Sequence, residues 1–154
     1  MQNKILKGLL LATLSISTNV LAFGNHDTWV SGFAQGVSEY IVLGQGQAKL
    51  YLACDGSDSR AEMLIFTDPS GRQINTDSGK RITVQIDREE PVDVSETNSR
   101  VGSDNFAWMW DKLRSGNHVT LSGEGVKSVT FTLKDANKAL PAYDKSDCVP
   151  KLSL

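Results

Sequence analysis

The side chains best suited to chemistry in this chain are two histidines, two cysteines and a run of carboxylates. His26 lies directly beside Asp27, and immediate neighbours cannot aim at one site without a special turn; His118 follows Gly116 and Asn117. The two histidines lack the i, i+4 spacing that places a pair of zinc ligands on one helical face. Serines are plentiful, yet there is no G-x-S-x-G elbow to present one as a nucleophile. The acids Asp87, Glu89, Glu90, Asp93 and Glu96 invite comparison with a calcium loop, which needs six or more oxygens drawn from a tight turn. Pro91 and the alternating Val92 and Val94 read instead as strand and turn with solvated carboxylates. The loop Asp55-Gly56-Ser57-Asp58 is a closer mimic but lacks the closing glutamate. The sequence therefore leads us to expect no catalytic residue, no metal site, no cofactor and no enzymatic activity.

The cysteines depend on compartment. Residues 1–7 carry Lys4 and Lys7 without an acid, residues 8–16 are apolar, and Val20-Leu21-Ala22 supplies small residues for cleavage. That order is a secretory signal peptide over residues 1–22, far short of the roughly 20 apolar residues that span a bilayer. Cleavage after Ala22 makes Phe23 the first mature residue, and no cysteine follows to take a lipid anchor. The expected location is the periplasm or the exterior. Both cysteines lie in the exported part, and in an oxidising compartment Cys54 and Cys148 are read as one disulfide. Two other states are open: a pair of buried free thiols, or a metal-holding pair, for which no nearby histidine completes a zinc site.

The chain has 154 residues and a net charge of −2. Loss of Lys4 and Lys7 with the signal makes the mature protein more acidic still. Phosphate binding needs a concentrated basic surface, so nucleic acid is not expected as a partner. No later segment is long and apolar, so no stable membrane insertion is expected.

The elements that must carry these residues are mostly strands. Residues 23–38 form a Gly-rich irregular leader around Trp29 and Phe33; residues 23–154 make one domain. Short apolar or alternating runs at 40–43, 49–53, 62–67, 81–87, 91–94, around Val119 and Leu121, and at 129–133 give seven strands. Asp68-Pro69-Ser70-Gly71 fits a type I turn. The spacing predicts one helix over 104–115, capped by Ser103 or Asp104 and ended at Gly116, with Phe106, Met109, Trp110 and Leu113 on one stripe. A shorter helical turn at 135–140 stops at Pro141. The fold class is mainly β: a small antiparallel β-sandwich or partly open barrel with one packed helix and one disulfide. Trp108 points away from the helix stripe, on the side of Lys112. Either Trp29 or Phe33 of the leader covers it, or Trp108 and Lys112 form a surface for a protein partner.

The order of Leu50-Tyr51-Leu52-Ala53-Cys54, a strand ending Val84-Gln85-Ile86-Asp87, the helix from Phe106 to Leu113, Ser128-Val129-Thr130-Phe131-Thr132-Leu133, Ala139-Leu140 and Cys148 resembles the small periplasmic proteins associated with type VI secretion, the VasI/EvfG type. In outline it is also similar to the invasion-associated locus B type. The resemblance covers residues 48–148. It implies a disulfide-closed periplasmic β-sandwich acting as a non-catalytic accessory or binding protein associated with a secretion apparatus. The alternatives are an exported inhibitor of a hydrolase and an immunity or exclusion factor for a secretion or conjugation apparatus.

Overall fold

The structure, a computed structural model, describes residues 24–56 and 62–149. The proposed signal peptide, Phe23 and turn residues 57–59 lie outside the described residues. Nine strands are described, two more than the sequence pattern predicts, in two antiparallel sheets. Sheet one is a five-stranded meander of β1 (Val30–Ala34), β2 (Val37–Leu43), β3 (Lys49–Asp55), β4 (Glu62–Thr67) and β5 (Gln73–Asn75). Sheet two has the order β7-β6-β8-β9, built from β6 (Ile82–Ile86), β7 (Val92–Asp93), β8 (His118–Gly123) and β9 (Val126–Thr132). Pro91 precedes the edge strand β7, where its missing amide breaks no ladder.

The described part of the expected irregular leader, residues 24–38, carries a strand. Residues 30–34 form β1 and pair with β2 through a two-residue turn at Gln35 and Gly36. Both turn residues have positive φ, 54° and 87°, which matches the twist of a tight hairpin. Glycines at 32 and 36 dilute the alternation that would have marked the strand. Just before β1, Trp29 is only 3% exposed, and its indole N–H donates to the Thr132 carbonyl at 3.0 Å. This ties the first strand of sheet one to the last strand of sheet two. The short β5 also escaped the pattern, because three residues cannot display a period of two.

The alternating apolar residues of these strands are buried. Leu50, Leu52 and Cys54 of β3, Ile82, Val84 and Ile86 of β6, and Val119 and Leu121 of β8 are essentially inaccessible. Phe66 and Phe131 meet edge-to-face across the sheets with centroids 6.3 Å apart. The turn after β4 adds a polar tie. Gly71 N–H donates to the Asp68 carbonyl, closing the expected tight turn. The buried Asp68 carboxylate accepts from Ser70, from Arg72 and from the Lys127 amide of β9. Lys127 is free to donate there because β9 uses three steps, Val126 to Val129, against two on β8, Gly123 to Leu121. That is a β-bulge. These hydrogen bonds hold the Asp68 carboxyl well below the usual carboxylate range.

Helix α1 (Arg100–Ser115) starts four residues before the expected position and is capped by Ser99, whose hydroxyl accepts from the Gly102 amide at 3.0 Å. Neither Ser103 nor Asp104 is the cap. Gly102 explains why a start inside this segment was concealed: a glycine early in a helix reads as a breaker, but here it is a contact requirement. A Cβ at Gly102 would fall on the Glu96 carbonyl oxygen. We expect Gly102→Ala to destabilise the protein by at least about 2 kcal/mol, since the backbone must move. A urea midpoint within error of the parent would refute this close approach.

The stripe Phe106, Met109, Trp110 and Leu113 is fully buried, and the Gly116 amide closes the helix on Lys112. Helix α2 (Ala136–Ala139) and a 3-10 turn (Tyr143–Lys145) lead to Cys148. Cys54 and Cys148 form a buried disulfide with Cα atoms 4.7 Å apart.

Candidate functional site: a cleft at the open end of the sandwich

Glu62 opens β4 in phase with Leu64 and Phe66, so its side chain falls on the inward face, and it is 5% exposed. Its register partner is Cys54. Three elements converge on it. The Tyr143 hydroxyl and the Ser103 hydroxyl of α1 both donate to Glu62 Oε1, the latter at 3.0 Å, while the Thr97 hydroxyl donates to the Glu62 carbonyl at 3.3 Å. Burial pushes the Glu62 carboxyl up despite these donors. Tyr143 is likewise raised, by burial and by the neighbouring Glu62. The cluster clasps β4, the helix start and the disulfide-bonded C-terminal segment together.

The clasp has a pH signature. A carboxyl whose folded value lies above its unfolded value, about 4.3, makes the folded state bind more protons than the unfolded state between those two values. Stability therefore falls as pH rises through that window. Glu62→Gln keeps an acceptor for Tyr143 and Ser103 but cannot ionise. We expect its melting temperature to exceed the parent's above the window and to match it near pH 4. A parallel pair of pH profiles would overturn this assignment.

Glu62 lies at one wall of a cleft of about 1320 Å³. Strands β2–β4, the segment joining β5 to β6, the segment after β7 and the first turn of α1 line it. Its apolar side chains include Val37, Ala53, Met63 and Val101. Val101 is 69% exposed. The cleft sits away from the seam that Trp29 and Asp68 close between sheet one and β9. Two hydroxyls already engage Glu62 Oε1 at this wall.

The residues singled out from sequence are spread apart. His118 is exposed and 4.0 Å from Asp87 Oδ1. Asp87, at φ 49°, accepts from the amides of Asn117 and His118, and these bonds lower its pKa. His26 makes a bridge with Leu43, remote in sequence from both. Of the acidic run, Glu89 pairs with Lys112 and Asp93 with Arg81. No group of three or more potential metal ligands occurs among the described residues. Trp108 is half-buried against the core, with Lys112 Nζ 6.0 Å from its ring centroid. Trp29 is engaged at the end of β9, and Phe33 is 71% exposed.

Sequence reasoning did not find the clasp or the cleft. One signal was available for Glu62: an acid in phase with the inward Leu64 and Phe66. Nothing in the sequence could have joined Val37, Met63, Asp77, Glu96 and Val101, which come from separate segments.

Fold and site together define a small, disulfide-closed antiparallel β protein with a cleft where its two sheets and helix meet. The YfjT family profile matches residues 27–140, and the chain belongs to that family. No curated protein and no solved structure matches it. Among the described residues, no helix is long and apolar enough to cross a membrane.

Proposed function

We propose that this chain is an exported, non-catalytic accessory protein that binds a protein partner in the periplasm, and that the cleft is where the partner docks. The cleft carries this reading. At about 1320 Å³ it is larger than the roughly 300–1,000 Å³ of a small-molecule pocket, and an exposed aliphatic side chain, Val101, lines it. The signal-like first 22 residues and the buried disulfide support export. The resemblance to the VasI/EvfG type makes the components of a secretion apparatus the first partners to try.

A photo-crosslinking amino acid placed at Val101, at Trp108 or at Thr130 in the full chain tests this in living cells. Thr130 is exposed on β9, in the other sheet. Capture of one identified protein from Val101 and not from Thr130 is the expected result. Equal capture from both, or capture from Trp108 alone, would reject the cleft as the docking site; the second outcome would move it to the Trp108–Lys112 face.

A further inference from the structure

Resting on that binding reading, we infer that the cleft receives a partner segment in which lysine or arginine side chains alternate with aliphatic ones. The groove wall is in part aliphatic. Ala53 and Met63 are register partners on the face of sheet one opposite to the buried Leu50, Leu52 and Cys54. Of the cleft's apolar residues, Val37 and Met63 are half-buried and Val101 is exposed. Partly exposed aliphatic side chains along a groove favour a ligand that can desolvate them.

The charged half sets the sign. Six carboxylates line the cleft against two cationic side chains, Lys80 and Arg81. Arg81 already faces Asp93 at 3.4 Å. Asp77, Glu96 and Glu124 stand exposed along the walls. The start of α1 would by itself favour an anion. One of its donors, the Gly102 amide, is already taken by the Ser99 hydroxyl, however. The carboxylates therefore dominate the field in the groove, and a cationic segment is complementary to it.

Two synthetic peptides of equal length and aliphatic content, one bearing lysines and the other glutamates, provide the probe for the oxidised, folded protein. The lysine peptide should bind, shift the methyl resonances of Val101 and Met63, and weaken as salt rises. Asp77→Lys with Glu96→Lys should reduce its affinity by about tenfold, and Lys80→Glu should tighten it. Both acids are exposed, so melting curves will show that these variants remain folded. Binding of the glutamate peptide equally well, methyl shifts outside the cleft, or indifference to all three charge changes would overturn the inference. If crosslinking from Val101 nevertheless succeeds, the docking site stands and only the chemistry assigned to its partner falls.

Discussion

Replacing Trp110 with alanine is expected to cost about 3–5 kcal/mol of stability. Trp110 is the largest of the fully buried side chains and joins sheet one, the helix and the C-terminal segment. Tyr40 of β2 meets it edge-on at 5.0 Å, Phe106 lies 6.3 Å away along the helix, and Tyr143 of the C-terminal segment is at 6.1 Å. Its indole N–H donates to the Pro141 carbonyl at 2.9 Å. Truncation would leave a cavity and strip that carbonyl of its donor, two costs that add. Trp110→Phe should recover most of the packing and lose only the hydrogen bond. The measurement is the urea midpoint at unchanged slope. A loss below about 1.5 kcal/mol for the alanine variant would mean that the helix is not anchored here.

Removing the disulfide is the second large effect. The bridge spans 94 positions, and in the chain-entropy description a loop of that length restricts the unfolded state by about 4–5 kcal/mol, with native strain or residual structure reducing the sum. We expect Cys148→Ser to lose about 2–5 kcal/mol. The local consequences are specific. The Tyr143 hydroxyl is within 3.4 Å of the Cys148 carbonyl and also donates to Glu62, while the Ser38 hydroxyl donates to Asp147 at 2.6 Å. Without the covalent tie, these bonds and the contacts of Trp110 with Pro141 and Tyr143 hold the segment. Accordingly, residues near Glu62 should gain hydrogen exchange before the sheets do. Two alkylatable thiols in the unreduced native protein, or a variant as stable as the parent, would contradict this.

Periodicity accounts for much of the agreement between sequence and fold. The alternation of Ile82, Val84 and Ile86 and the helical stripe from Phe106 to Leu113 each state a local rule that burial then obeys. The errors fall where a local rule was overridden. Ser99, not Ser103, caps α1, because Gly102 is needed against Glu96 and the helix must begin before it. The first strand was obscured by its own glycines, yet it forms because β2 offers a pairing edge and Trp29 reaches Thr132.

The sequence by itself determined the inward faces, most turns, the helix stripe and the pairing expected of Cys54 with Cys148. These follow from residue periods and from the chemistry of single side chains, which act over a few neighbours. Tertiary structure decided the order of strands in each sheet, the burial of Glu62 beneath Tyr143 and Ser103, and the existence of a cleft at all. Those properties depend on which distant segments meet: Glu62 and Tyr143 are 81 positions apart. A local pattern cannot carry that information, since the burial that raises the Glu62 carboxyl exists only after the helix and the C-terminal segment have closed over it.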